Sequence, residues 1–186
     1  MQARRQVTGR RAIRPETGGL TGSVSHPPSF EAKIRAPTEV GRWLSSLMRP
    51  LVFTNGVFDI LHRGHVTYLA RARELGAALL VAVNSDASAR RLGKGPDRPV
   101  NSLADRLAVL AALESVDTVT WFEEDTPAAL IAACQPDVLV KGGDWPIERI
   151  VGAREVLARG GRVESIAFEH ERSTSALLGR IRGGGE

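Results

Sequence analysis

From about residue 50 onward, apolar runs alternate with stretches of helical spacing. Pro50-Leu51-Val52-Phe53-Thr54 is a short apolar run ending in Asn55-Gly56, which reads as a strand and then a turn. From His65 to Leu75, apolar residues recur at helical intervals (Val66, Leu69, Ala70, Ala72) and stop at Gly76. Ala78 to Val83 reads as a second buried strand, and residues 84–100, with Gly93, Gly95, Pro96 and Pro99, read as loop. Leu103 to Leu113 is helical, with Ser102 and Asp105 spaced like a capping box. Val116 to Phe122 is a strand. Thr126-Pro127 reads as a helix start, with Thr as cap and Pro in the first turn. Val138 to Val140 is a strand that runs into Lys141-Gly142-Gly143. Ile147 to Ala158 is a helix closed by Gly160-Gly161, Val163 to Phe168 a last strand, and Ser173 the start of a last helix.

Strands that alternate with helices predict an α/β fold. Its parallel sheet is Rossmann-like, with helices on both faces, because parallel neighbours need crossover connections. Such sheets bind ligands at the carboxyl ends of their strands, near the point where strand order reverses. No internal repeat is visible.

Composition is that of a globular protein, 42% hydrophobic and 25% charged, and 186 residues suffice for one domain with a proper core. No apolar run has the length of a membrane span, and the Arg-rich start lacks the apolar stretch of a secretory signal. The expected location is the cytoplasm. The single cysteine, Cys134, excludes an intrachain disulfide and lies in an apolar helical pattern, so it reads as buried filler.

The basic pI of about 10.0 invites a nucleic-acid reading, but the distribution of charge opposes it. Residues 1–28 hold Arg4, Arg5, Arg10, Arg11 and Arg14 against Glu16, which accounts for the whole formal charge of +4. The rest of the chain is formally neutral. Residues 1–28, rich in Gly, Ser, Thr and Pro, read as a disordered basic tail. Residues 29–182 read as the folded domain, and residues 183–186 as a flexible end. No specific nucleic-acid partner and no membrane partner is expected.

The chemistry concentrates in Phe58-Asp59-Ile60-Leu61-His62-Arg63-Gly64-His65, where two histidines three apart flank a glycine as a strand feeds a helix. Attack on a nucleotide α-phosphate builds negative charge that preorganised donors stabilise. Two imidazoles and the free N–H groups of a helix start supply such donors. Gly64 lets the backbone approach a phosphate. The bland alternatives are that His62 and His65 cap and pack a helix, or that they form a metal pair. The only other histidines are His26 and His170.

Lys94, between Gly93 and Gly95, suits a charge that closes over phosphates, against the default of a solvated loop lysine. Ser173-Thr174-Ser175 suits an anion site at a helix start, although Ser173 alone is also an ordinary cap. In Lys141-Gly142-Gly143-Asp144-Trp145, the glycines admit a base or ribose to the backbone. Asp144 can accept a hydroxyl, or simply bond its own turn. Arg106 and Asp117 are weaker candidates, since Arg106 can pair with Asp105 or Glu114 on the surface. Glu123-Glu124-Asp125 is most simply a favourable charge at a helix N-terminus.

With these motifs in hand, the chain resembles the cytidylyltransferase-like nucleotidyltransferase superfamily. The signatures of that superfamily are the H-x-G-H of residues 62–65 and a Ser-Thr-Thr type helix start, here Ser173-Thr174-Ser175. Within it, residues 53–65, 83–88, 93–95, 98–101 and 137–144 are similar in particular to the D-glycero-β-D-manno-heptose 1-phosphate adenylyltransferases. The resemblance spans roughly residues 29–182. It implies transfer of AMP from ATP to heptose 1-phosphate, giving ADP-heptose and pyrophosphate for the lipopolysaccharide core. Mg2+ would ride on the nucleotide phosphates rather than on a metal site of the chain. In many bacteria the activity is fused to a sugar kinase; this chain looks like the stand-alone form, with a separate heptose kinase in the same pathway and a homodimer as the common assembly.

By the resemblance, His62, His65 and Lys94 match the phosphate-stabilising set. Val57, Phe58, Asp59, Gly64, Gly142, Asp144, Ser173, Thr174 and Ser175 are expected at the nucleotide, and Asp86, Arg106 and Lys141 at the second substrate. Three features depart from the pattern. Ser175 stands where Thr is usual. Trp145 stands where the heptose enzymes more often carry Tyr and the glycerol-phosphate enzymes Trp. The Arg-rich tail has no counterpart. The alternatives are a glycerol 3-phosphate cytidylyltransferase, an FAD synthetase, or a nucleotide-sensing or nucleic-acid-associated protein that uses the tail.

Overall fold

The computed structural model describes residues 26–93, 95, 97–169 and 179. Five parallel strands form one sheet: β1 (Leu51–Gly56), β2 (Ala78–Asn84), β3 (Thr118–Phe122), β4 (Val138–Gly142) and β5 (Arg162–Ile166). Their order across the sheet is β3-β2-β1-β4-β5. The chain builds outward from β1 to β3 and then returns to place β4 on the other side of β1. The reversal point therefore lies between β1 and β4, where Rossmann-like sheets open their binding crevice.

Helices cover both faces, as the alternation predicts. On one face, α2 (Arg63–Glu74) and α4 (Leu103–Ala111) bury Tyr68, Leu69, Ala72, Leu107, Leu110 and Ala111 against Val52, Val81, Val83 and Val140. On the other, α1 (Val40–Trp43), α5 (Ala128–Cys134) and α6 (Ala153–Ala158) bury Trp43, Ile131, Cys134 and Val156 against Leu51, Phe53, Leu80 and Leu139. Successive strand residues feed opposite faces, and in the central β1, β2 and β4 both faces are covered, so these strands open as apolar runs, whereas the edge strand β5 is mostly half-exposed. Cys134 is buried in this second cluster, and burial pushes its thiol up to about 12.

Several element limits differ from the sequence reading. The stretch 84–100 is not all loop, because α3 (Asp86–Arg91) forms there, capped by Ser85 Oγ, which accepts from the Ser88 N–H at 3.1 Å. β1 does not turn at Asn55-Gly56; both residues pair with β2, at Ala82 and Val83. β4 likewise continues through Lys141 and Gly142, paired with Ser165 and Ile166. Thr126 does not cap α5, whose N-cap position is Pro127. The helix expected over 147–158 is broken into a 3-10 turn, Ile147–Arg149, and α6, with Gly152 between them at φ +85°. A Cβ at Gly152 would lie 2.8 Å from Ile131 Cγ2, so both its conformation and its space call for glycine. The Ser102–Asp105 cap of α4 is present, with Ser102 Oγ accepting from the Asp105 N–H.

Residues 29–49 carry short turns that join the core ahead of β1. Ile34 bridges Val119 of β3, and Trp43 is buried, with Nε1 donating to Ala36 O at 2.9 Å. Among the described residues, no helix is long and apolar enough to cross a membrane.

Candidate functional site

β1 delivers the chain to the reversal point and then lets it leave the sheet through Val57, Phe58 and Asp59. Phe58 takes the left-handed region, at φ +49°, which bends the chain toward α2. His62 is extended and occupies the N-cap position of α2, while His65 sits in its first turn and donates its backbone N–H to His62 O at 2.9 Å. The two rings stack, with centroids 3.9 Å apart and planes at 29°. Phe58 meets the His65 ring edge-on at 5.5 Å, and Phe168, just after β5, does so at 6.0 Å. Aromatic walls thus fix the imidazole pair beside the N–H groups of a helix start.

Gly142 at the end of β4 keeps this corner open. A Cβ there would stand 2.7 Å from Phe168 Cζ and 3.2 Å from Tyr68 Cζ. Tyr68 and Thr54 share a buried hydroxyl hydrogen bond below it. Burial pushes the Tyr68 hydroxyl well above its ordinary value, despite the opposing bonds with Thr54 and Gly142, so it stays protonated and acts as wall and hydrogen-bonding group rather than base.

Two cavities open at the carboxyl ends of the strands. One, of about 280 Å³, is lined by residues including Val57, Phe58, Asp59, His65, Arg98, Lys141, Gly142 and Phe168. The other, of about 240 Å³, includes Asn84, Asp125, Thr126, Arg149 and Ile150. They share Asn55, Gly56, Val57, Lys141 and Trp145. Lys141 reaches back across the reversal point, with Nζ 3.3 Å from Asn55 Oδ1 and 3.4 Å from Asn55 O. Trp145 is held by its backbone N–H, which donates to Ser165 Oγ, while that hydroxyl donates to Gly143 O.

Of the residues expected from sequence, Val57, Phe58, Asp59, His65, Lys141 and Gly142 come together in the first cavity, with His62 stacked behind. Gly64 is buried in the first turn of α2. Asp144 is exposed and lines neither cavity. Lys94, Ser173, Thr174 and Ser175 lie outside the described residues.

Three expectations change. Arg106 is not a surface residue and lines neither cavity. Its side chain is 0% exposed and donates to Val57 O (2.7 Å), Asn101 O (3.2 Å) and Asp86 Oδ1 (2.7 Å). Asp86 is its ion-pair partner and likewise stands behind the site rather than in it. Asp59 reaches the cavity wall, but both carboxylate oxygens are occupied from within. Oδ1 accepts from the Val100 and Asn101 N–H groups, at 2.8 and 2.9 Å, and Oδ2 accepts from Arg98 Nε at 2.6 Å. Burial acts to raise the Asp59 carboxyl, but the two amides and Arg98 outweigh it and hold it below the usual range. Three of its roughly four lone-pair sites are thus taken by the protein itself, and the side chain is 1% exposed. Asp117, the other weak candidate, accepts from the Leu79 N–H and pairs with Arg73 at 2.7 Å.

Sequence reasoning did not single out Arg98, Asn55, Tyr68 or Phe168 as lining residues. Helical spacing puts Tyr68 one turn beyond His65 and could have found it. Asn55 and Arg98 lie in the stretches that carry the resemblance, 53–65 and 98–101, but neither spacing nor residue type marks them, or Phe168, as lining residues. Among the described residues, no group of three His, Cys, Asp or Glu side chains is placed to hold a metal.

The cytidylyltransferase-like family model matches residues 53–177, which contain the last four residues of β1, all of β2 through β5 and the histidine pair. This chain belongs to that family. It is 57% identical over 157 residues to the D-beta-D-heptose 1-phosphate adenylyltransferase of Bordetella bronchiseptica, covering 83% of this chain and 97% of that protein. It is 61% identical over 134 residues to the bifunctional protein HldE of Edwardsiella ictaluri, covering 72% of this chain but 28% of that longer one. Among solved structures, the lipopolysaccharide core biosynthesis protein of Thermoplasma volcanium superposes with a TM-score of 0.53 at 30% identity, over 66% of this chain and 98% of that one.

Proposed function

We propose that this chain transfers AMP from ATP to D-glycero-β-D-manno-heptose 1-phosphate, forming ADP-heptose and releasing pyrophosphate. The observation that carries the proposal is the 57% identity to a heptose 1-phosphate adenylyltransferase over 157 residues and 97% of that protein. In the proposed reaction, a phosphate oxygen of the sugar attacks the α-phosphorus in line, a new P–O bond forms, and the bond to the β-phosphate breaks. The nucleophile is already anionic, so the chain's task is to position two polyanions and spread the developing charge. His62 and His65 serve as the donors at the α-phosphate. Lys141, at the wall common to both cavities, serves as the fixed positive charge between the substrates. Lys94 and Ser173, Thr174 and Ser175 are retained from sequence as further phosphate and nucleotide contacts.

Beside neutral groups such as the Asn55 amide and Tyr68 hydroxyl, the first cavity offers an imidazole, an ammonium and a guanidinium, with one carboxylate largely engaged by the protein itself. That donor set suits a polyphosphate and a Mg2+ carried on it. When bound, the ion neutralises part of the triphosphate charge. A heptose kinase activity would supply the sugar phosphate. A homodimer working in the cytoplasm completes the proposal.

The test is pyrophosphate release with ATP or CTP paired with each anomer of heptose 1-phosphate and with glycerol 3-phosphate. The expected result is turnover with ATP and the β-anomer. Preferred use of CTP with glycerol 3-phosphate, to which Trp145 would be suited by resemblance, would overturn the sugar assignment.

A further inference from the structure

Arg98 is held along a mostly covered side chain by a single ion-paired hydrogen bond, and its guanidinium ends stay open. Its side chain is 11% exposed, yet only Nε is engaged, in the 2.6 Å bond to Asp59 Oδ2. No other described residue receives a hydrogen bond or ion pair from the terminal nitrogens of its guanidinium. The same side chain lines the cavity that holds His65 and Lys141. Its terminal nitrogens are not among the buried unpaired atoms of the described residues and stay accessible, and a guanidinium fork with two open ends at a cavity wall suits paired phosphoryl oxygens.

Asp59 explains how the fork is held. Its side chain is 1% exposed, and besides Arg98 it accepts from the Val100 and Asn101 amides. The Asn101 amide side chain closes the ring by donating to Asp59 O. Asp59 lies three residues before His62, so Arg98, though it comes from a loop some forty positions away, is pinned to the turn that carries the histidines. One oxygen of Asp59 holds the backbone and the other holds Nε, so the guanidinium is tethered at Nε to a carboxylate that is itself held in place.

We infer that Arg98 is a phosphoryl-contacting residue of this site and that Asp59 is the positioning residue that presents it. The inference rests on the proposed transfer reaction for its meaning in catalysis. The shared chemistry is a phosphoryl group, and the source is either the triphosphate or the sugar phosphate.

The test uses the full chain with Arg98→Ala, Arg98→Gln, Asp59→Asn and the Asp59→Asn/Arg98→Ala double variant. Glutamine keeps an N–H for Asp59 while removing the charge. Binding of inorganic pyrophosphate is measured by calorimetry, KM and kcat for each substrate by product release, and melting temperature alongside. Arg98→Ala and Arg98→Gln are expected to weaken pyrophosphate binding by roughly 10- to 100-fold, the effect of losing charge-assisted hydrogen bonds. A rise in KM confined to ATP assigns the contact to the triphosphate; a rise confined to the sugar phosphate assigns it there. Asp59→Asn should reproduce part of the loss in the wild-type background and add none to Arg98→Ala, because it acts through that residue. Either folded Arg98 variant binding pyrophosphate and both substrates as the wild type does, with only a lower melting temperature, would overturn the inference. An Asp59→Asn effect that persists undiminished without Arg98 would overturn the positioning role. Should the wild type transfer no nucleotide to any acceptor, the transfer reading fails by itself, and the pyrophosphate measurement still decides the role of Arg98.

Discussion

Replacing Arg106 with methionine separates a buried strut from a substrate contact. Methionine keeps much of the length and removes the charge and every donor. The wild-type guanidinium ties together three segments: α4, which bears it, the Val57 carbonyl of the turn after β1, and Asp86 at the start of α3. A third bond reaches Asn101 O. The variant leaves two carbonyls and a carboxylate without their donor. Breaking a buried ion pair by removing one partner costs about 3–5 kcal/mol. Asp86 is 33% exposed and recovers water when its partner goes, which favours the lower end. The expected loss is therefore about 3 kcal/mol, a large part of the roughly 5–15 kcal/mol that holds a domain together. For a chain of this size it lowers the melting temperature by about 6–12 °C. Urea unfolding of the ligand-free protein, followed by tryptophan fluorescence, should show an earlier midpoint with an unchanged slope. Arg106→Lys, which keeps the charge but cannot span three acceptors, should fall between the two. A stability change within about 0.5 kcal/mol, as for a surface substitution, together with a raised KM for the sugar phosphate, would refute the strut and restore Arg106 as a substrate contact.

Three further outcomes are expected. His65→Ala should lower kcat by roughly 100- to 1,000-fold while ATP binding and melting temperature stay near wild type, since a preorganised donor is worth most in the transition state; a destabilised but fully active variant would show a packing role instead. Trp43→Ala should cost about 3–5 kcal/mol in unfolding free energy, because this buried indole closes the core from the segment ahead of β1; an unchanged midpoint would place residues 29–49 outside the cooperative unit. Asp59 has a folded value below its unfolded one, so its stabilisation is fully present above about pH 4 and is lost as pH falls from there through the folded value. Acid unfolding of Asp59→Asn should lack that component, and identical acid profiles would contradict it.

The alternation of strands and helices was legible because long periodic segments carry their own signal, as α2 and the apolar runs of β1, β2 and β4 do. What escaped were features shorter than the period that would reveal them. α3 has six residues, too few to display helical spacing. Gly152 looked like one more residue of a helix until its left-handed conformation and its contact with Ile131 divided the segment. Arg106 was readable in principle. Leu103, Arg106, Leu107 and Leu110 fall at the spacing of one buried face, and only the assumption that arginine seeks water moved it to the surface. Arg98 carries no such signal, because its partner lies 39 positions away and its own segment has no periodicity.

The reversal of strand order explains why the site needs so few elements. Where β1 and β4 part to opposite sides, the chain leaving β1 and the chain leaving β4 face each other across a gap that no crossover helix fills. Asn55, Gly56 and Val57 form one bank, Lys141 and Trp145 the other, and each bank serves both cavities. A reaction between two phosphorylated substrates needs such a shared wall, because the attacking oxygen and the leaving group must lie on opposite sides of one phosphorus. The positive charge of Lys141 stands at that wall, bonded to Asn55 on the opposite bank, so any movement of the banks apart would draw the cation from its place. The internal bonds of Asp59 and Arg106 hold the first bank and the loop beyond it rigid. In the proposed reaction, Asp59 and Arg106 serve through the backbone and the arginine they fix, and the chemistry falls to the histidines, Lys141 and Arg98, which that framework aims.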